Sequence, residues 1–345
     1  MFQRLSDFTY AFPESLIATH PLADRSSSRL MVLNRMSGGL THKKFSDIVD
    51  NFASGDVLVM NDSKVFPCRL ITARQSGGRQ EIFLIREMDE SDVWEVLLNA
   101  NTKVKMGDIF SFAGLTVTIT NEAHPDNPTR RAKLVFIGDL FPLLQKIAHI
   151  PLPPYIMRAD TPEDINTYQT VYAKSTGSVA APTAGFHFTP ELLQALRDKG
   201  VILTSITLHV GPGTFLPVRT ENIQDHKMHT EFYSLSADSC KIINEAKKQN
   251  RRVTAVGTTS VRVLESAAVK NSELTPHDDQ TGIFIYPPYS FKIVDRLITN
   301  FHQPESTLLM LVSAFAGREK ILAAYQDAIA LGYRLFSYGD AMLIE

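Results

Sequence analysis

The sequence predicts an α/β core domain with a mixed sheet and flanking helices, plus an inserted small β-barrel domain. Three observations lead there. At 345 residues the chain is long for one hydrophobic core, so two domains are the default. After Gly177, strand-like runs alternate with amphipathic helical runs, the texture of an α/β unit. Residues 69–135 instead carry short alternating runs broken by Gly77-Gly78, Gly107-Asp108 and the stretch 125–128. Many short strands without long helices argue for a barrel or sandwich. The core is therefore read as residues 1–62 and 150–345, and the inserted barrel as 63–149.

In chain order, residues 12–18 read as a short helix entered through Pro13, 30–33 and 57–60 as buried strands, and 45–52 as a helix between them. Runs 81–85, 93–98, 115–119 and 132–136 supply the barrel strands. A helix at 141–148 and prolines 151, 153 and 154 mark the return to the core. Thr189 then stands at an N-cap position with Pro190 first in the helix, Leu192, Leu193 and Leu196 at helical spacing, and Gly200 as the stop. A β-branched run at 201–210 is the next strand, followed by a helix at 237–249, a strand at 252–256 and a helix through Leu264 and Glu265. The chain closes with a strand at 291–301, helices at 306–316 and 319–330, and a strand at 333–338 ahead of Gly339-Asp340.

A formal charge of −2 excludes a globally basic nucleic-acid binder but not a local basic patch. The two cysteines, Cys68 and Cys240, lie far apart in no ligand-like spacing, which fits a reducing cytoplasm without a disulfide framework or a zinc site. The N-terminus lacks a basic segment followed by an apolar core, so no signal peptide is expected. The longest apolar run, at 308–315, is far too short to span a bilayer.

The densest chemistry lies in residues 177–218. Small residues from Ala180 to Gly185 allow close backbone approach to a ligand, and His187 follows between Phe186 and Phe188. His209 ends the next strand and opens into Gly211-Pro212-Gly213-Thr214. Ligand loops collect at carboxyl ends of strands in open α/β sheets. The plainer alternatives are a tight turn and hydrogen-bonded core histidines. Gly257, Thr258, Thr259 and Ser260 open a helix and present free N–H groups, either a natural anion site or an ordinary cap. Lys64, Arg69, Arg74 and Arg79 form a run with no acidic residue between them, which suits either RNA phosphates or a solvated barrel rim.

Long blocks then identify a resemblance. PESLIATHP (13–21), GDVLVMNDSKV (55–65), VAAPTAGFHF (179–188), VGTTSVRVLES (256–266) and TNFHQPESTLLMLVSAFAG (299–317) closely resemble the S-adenosylmethionine:tRNA ribosyltransferase-isomerase family of queuosine biosynthesis. Further matches at 151–155, 168–172, 207–218, 284–287 and 333–344 extend the likeness over nearly the whole chain. Pro212 stands where the family usually has Ala, Lys64 where it has Arg, Cys68 where it has Ala and Pro288 where it has Gly.

The resemblance implies transfer and isomerisation of the ribosyl unit of S-adenosylmethionine onto 7-aminomethyl-7-deazaguanine at the tRNA wobble position. Epoxyqueuosine-tRNA, adenine and methionine are the implied products. S-adenosylmethionine would be a consumed co-substrate; no resident cofactor, metal or membrane contact is expected, and the chain is expected to act as a cytoplasmic monomer. The chemistry needs a base for the proton beside the sulfonium and an acid for the departing adenine. His187 and His209 are the leading acid/base candidates, and Asp340 and Asp62 either bind the methionine amine or act as a base. The Gly257 to Ser260 helix start with Arg262 suits the methionine carboxylate, and Gly185, Gly211, Gly213 and Thr214 complete the binding loops. A conventional methyltransferase fits poorly, because its spaced glycine pair after the first strand has no good counterpart. A non-catalytic RNA reader would not need site-like loops outside the barrel.

Overall fold

The computed structural model describes residues 4–73, 78–99, 104–124, 129–215, 218–270 and 273–345. Strands β1 (Arg29–Leu33), β2 (Leu40–Lys44), β3 (Val57–Asn61) and the short β4 (Ser63–Val65) come first. The second unit comprises β5 (Arg69–Ala73), β6 (Arg79–Glu87), β7 (Val93–Leu98), β8 (Ile109–Phe112), β9 (Leu115–Ile119) and β10 (Thr129–Phe136). After it come α1 (Leu140–Ile147), α2 (Asp164–Thr167), β11 (Ser175–Ser178), α3 (Pro190–Asp198), β12 (Ile202–Leu208) and β13 (Glu231–Leu235). The chain finishes with α4 (Ala237–Lys248), β14 (Val253–Val256), α5 (Gly257–Lys270), β15 (His277–Thr281), β16 (Arg296–Asn300), α6 (Thr307–Ala316), α7 (Arg318–Ala330) and β17 (Ala341–Ile344).

Nine strands form one mixed sheet in the order β15-β13-β12-β3-β14-β16-β17-β1-β2. At its centre β12, β3, β14 and β16 run parallel. Strands buried on both faces need a continuous apolar run, which the Val57-Leu58-Val59-Met60 stretch of β3 supplies. Alternate side chains divide between two cores. Val57 and Val59 pack in the cluster holding residues of α4 to α7, whereas Leu58 and Met60 pack with Phe45, Ile48 and the Leu192, Leu193 and Leu196 stripe of α3. Thr189 caps α3 by accepting the Leu192 N–H, with Pro190 in its first turn.

Residues 69–136 build a separate six-stranded antiparallel sheet, ordered β5-β6-β7-β10-β9-β8, that curls so that β5 and β8 approach without pairing. Its inward residues alternate along each strand, as Leu115, Val117 and Ile119 do in β9. Leu140 and Leu144 of α1 pack into the same core. Cys68 and Cys240 are both free and buried. Among the described residues no helix is long and apolar enough to cross a membrane.

Several expected elements come out differently. The strand expected at 333–338 is a loop, with Phe336 at φ 68° breaking the extended course; the buried strand is β17, further on. Helices expected at 45–52 and 12–18 are 3₁₀ turns over Phe45–Asn51 and Glu14–Leu16. The strand expected at 291–301 shortens to β16.

Asp56, beside the start of β3, ties the central strands together at their amino ends. Its carboxylate accepts Arg252 Nη2 at 2.7 Å and Arg296 Nη2 at 3.1 Å, and Arg252 and Arg296 sit at the starts of β14 and β16. Burial alone would raise the Asp56 carboxyl. The hydrogen bonds from Arg252 and the Ala53 N–H, with the Arg296 charge, outweigh it and hold the group below the usual carboxylate range. A carboxyl depressed in the folded state stabilises the fold above its unfolded pKa, and that stability is lost as pH falls through the folded value. Asp56→Asn is therefore expected to cost about 3–5 kcal/mol at neutral pH, by stranding buried Arg296. In denaturant titrations the gap between wild type and variant should hold from neutral pH down to about pH 5 and narrow below about pH 4. A gap unchanged at pH 3 would mean that the Asp56 charge contributes nothing.

Candidate active site

The carboxyl ends of the parallel strands open onto a cavity of about 270 Å³. In open α/β sheets this edge gathers ligand loops. Gly257 follows β14 directly at φ 83°, a left-handed angle that favours glycine, and turns the chain straight into α5. Gly257, Thr258 and Thr259 consequently line the cavity with the first turn of a long helix, whose N–H groups lack intrahelical partners. The Thr259 hydroxyl is buried without a partner, while Ser260 Oγ bonds back to the Val256 carbonyl at 2.8 Å and stays inside the helix. The opposite wall comes from the end of β16, where Thr299, Asn300, Phe301 and His302 line the same space. Tyr155 and Phe336 add aromatic surface, their rings 5.1 Å apart at 61°.

Arg262 lines the cavity but is not a free cation. Its Nη1 pairs with Glu231, itself 5% exposed, and Glu231 Oε1 accepts the Gly211 N–H at 2.9 Å. The charge expected to meet a substrate carboxylate is thus already neutralised, which leaves the α5 N-terminus and the unpartnered Arg262 Nε–H as the anion donors here. Glu231 also takes up the Gly211 N–H, so Gly211 anchors its loop to α5 rather than presenting a donor to the cavity. Gly213 lines a smaller annex of about 40 Å³ that shares Arg262 with the cavity. Thr214 lies in the Pro212–Phe215 turn, with its side chain outside the described residues.

His187 does not line the cavity. It is 4% exposed, with Nδ1 2.8 Å from Ser28 Oγ, Nε2 3.2 Å from Asn300 Nδ2, and its ring 4.9 Å from Phe45. Burial, with the charges of Arg25 and Arg334, pushes its pKa down to about 3. Both ring nitrogens are engaged, so His187 holds Asn300, which does face the cavity and accepts from Thr183 Oγ1 at 3.0 Å. Asp340 is likewise held within the fold. Its Oδ1 accepts the Arg29 N–H at 2.9 Å, and its Oδ2 accepts Arg29 Nε at 3.1 Å and the Arg334 N–H at 2.8 Å. At 1% exposure it fastens the chain end, with three of its four lone pairs taken up by the protein. Gly185 is required for packing: a Cβ there would fall 2.0 Å from the Tyr172 hydroxyl oxygen.

His209 and Asp62 lie together at the ends of β12 and β3. Asp62 Oδ1 accepts Thr207 Oγ1 at 2.6 Å, and His209 Nδ1 is buried without a partner. The imidazole stacks on Phe232, with centroids 6.2 Å apart. Burial lowers the His209 pKa against the raising influence of Asp62. The neighbouring Val210 lines the cavity, so this pair sits beside it rather than in its wall.

The cavity's own histidine, His302, escaped the sequence reading. The available signal was the one used for Gly257: a strand end followed by a helix N-cap, here Ser306, which accepts the Leu309 N–H at 3.1 Å. The basic run is also altered by folding. The β5–β6 hairpin places Glu81 opposite Ile71, where it pairs with Arg69 at 2.7 Å and lies 3.8 Å from Arg79. Lys64 is exposed on β4, and Arg74 lies outside the described residues.

Comparison with known proteins finds relatives along nearly the whole chain. The family described as "Queuosine biosynthesis protein" matches residues 5–344. A protein of Pelobacter propionicus named S-adenosylmethionine:tRNA ribosyltransferase-isomerase is 48% identical over 345 residues, covering 99% of each chain. A protein of the same name from Syntrophotalea carbinolica is 50% identical over 343 residues, again with 99% of each chain covered. The solved structure of S-adenosylmethionine tRNA ribosyltransferase from Thermotoga maritima superposes with a TM-score of 0.57 at 35% identity, over 98% of this chain and 100% of that one. By sequence over nearly its full length, this chain belongs to the queuosine biosynthesis protein family.

Proposed function

We propose that the chain is a tRNA-modifying ribosyltransferase-isomerase that consumes S-adenosylmethionine. It transfers and isomerises the ribosyl unit onto 7-aminomethyl-7-deazaguanine at the wobble position, giving epoxyqueuosine-tRNA, adenine and methionine. The observation that carries this reading, beside family membership, is the composition of the cavity walls. One wall is a helix N-terminus with the unpartnered Thr259 hydroxyl, which suits the methionine carboxylate. Another is aromatic, with Tyr155, Phe301 and Phe336, which suits the sulfonium. The neutral Arg262–Glu231 pair adds no net positive charge to repel that sulfonium.

On this reading the aminomethyl group arrives on the His209 side. An amine is protonated at neutral pH and must lose a proton to attack. A neutral His209 next to Asp62 is placed to take it. Residues 1–62 and 150–345 act as the catalytic core, and 63–149 as an inserted barrel holding the RNA through Lys64, Arg69, Arg74 and Arg79. The chain works as a single copy without a resident cofactor or metal, since positive sulfur already acidifies the adjacent carbon and makes methionine a leaving group.

The purified protein, given S-adenosylmethionine and tRNA bearing the aminomethyl base, should release adenine and methionine at a rate indifferent to a chelator. Formation of S-adenosylhomocysteine would contradict the reaction, and rescue of a chelated sample by a divalent ion would contradict its metal independence. For the RNA face, replacing Arg74 and Arg79 with Ser should flatten the plot of log tRNA affinity against log salt by roughly one to two units. Turnover at saturating tRNA should survive, because phosphate contacts position the RNA without doing chemistry. An unchanged salt slope would move the RNA-binding face elsewhere.

A further inference from the structure

We propose that His302 is the proton-transfer residue of the cavity, taking the proton from the carbon beside the sulfonium and passing it to the departing adenine. This inference rests on the ribosyl-transfer reading above. The ionisable groups lining the cavity are few. Arg262 is committed to Glu231. Glu305 has an exposed side chain. Burial raises the phenol of Tyr155 to about 12 and pushes that of Tyr168 up as well, so neither is ionised at neutral pH. His302 is left.

Its geometry suits the work. Nε2 lies 2.7 Å from Thr299 Oγ1, and Nδ1 engages no protein group among the described residues. The backbone is pinned on both sides: its N–H donates to the Tyr325 hydroxyl at 3.0 Å, and its carbonyl accepts from the Tyr10 hydroxyl. In the tautomer that donates Nε2–H to Thr299, the ring keeps the Nδ1 lone pair for substrate. Burial pushes the imidazole pKa down to about 3, so it is neutral at working pH and strongly acidic once protonated.

The step balances on those two states. The C5′–H bond breaks and its proton goes to Nδ1, giving imidazolium. The electron pair forms a double bond from C5′ to C4′, the ring bond from C4′ to oxygen opens, and that pair closes a carbonyl at C1′. The pair of the C1′–nitrogen bond leaves on adenine, which takes the proton from imidazolium. The ring is neutral again, and no oxidant, reductant or outside acid is required.

The test uses the full chain with S-adenosylmethionine in heavy water, scoring deuterium incorporation at C5′ by mass spectrometry, and adenine release when substrate tRNA is added. His302→Asn should bind S-adenosylmethionine within about threefold of wild type, lose incorporation, and lower kcat by about two to four decades. His209→Gln should keep incorporation while losing transfer, since amine deprotonation comes later. Near-normal turnover in His302→Asn would overturn the proposal. So would incorporation that survives His302→Asn but vanishes in Glu305→Gln or His209→Gln. Should His302→Asn not fold, Thr299→Val keeps the ring but unseats it: incorporation should fall about tenfold with KM unchanged, and an unaffected rate would refute the assignment. Wild-type protein that releases no adenine at all would sink the ribosyl-transfer reading itself, and this proposal with it.

Discussion

The Asp56 carboxylate between Arg252 and Arg296 is the constraint on which the rest of the molecule depends. These three charges sit where β3, β14 and β16 begin, at the edge of the sheet opposite the cavity. Arg296 is 2% exposed, lies over the Phe52 ring at 4.4 Å, and donates to Thr254 Oγ1 at 3.1 Å. Burying such charges is unfavourable unless every donor and lone pair finds a partner. A one-residue slip of either neighbouring strand would separate the pair, so the network specifies register. Register at the amino ends determines which residues meet at the carboxyl ends, and there Gly257 and Asn300 come to face one cavity.

Electrostatics in that cavity is built from compensated parts. S-adenosylmethionine carries both a sulfonium and a carboxylate, so a strong field of either sign would favour one end and oppose the other. A helix N-terminus offers partial positive charge confined to its first turn. The Glu231–Arg262 pair contributes structure instead, joining the Gly211 loop to α5. His187 has a comparable place one layer out: locked between Ser28 and Asn300, it fixes the orientation of a carboxamide that faces the cavity.

The features legible in the sequence were those set by neighbours in the chain. The Thr189-Pro190 start of α3 and the apolar run of β3 depend on local chemistry and appear where expected. Strands β13 and β15 gave no such signal: Glu231–Leu235 is a short mixed segment and His277–Thr281 a polar one, and among the described residues they pair with each other and with the end of β12. The histidines show the same divide. His187 and His302 both follow phenylalanines, and only the fold brings Ser28 against one ring, from 159 residues away, while leaving the other a nitrogen with no partner among the described residues. Asp340 offered no sign of its burial, because Arg29, which pairs with it, lies 311 residues distant. Likewise the acid-free stretch from Lys64 to Arg79 acquires Glu81 once the hairpin closes.

The central claim is that this one cavity, at the carboxyl ends of β14 and β16, receives S-adenosylmethionine. A crystal structure of the protein with S-adenosylmethionine bound tests it most directly. Density is expected for the methionine carboxylate against the first N–H groups of α5 and for C5′ within reach of His302. Density seated on the barrel, or in the open hollow at the opposite sheet edge beside Arg251 and Arg252, would contradict it.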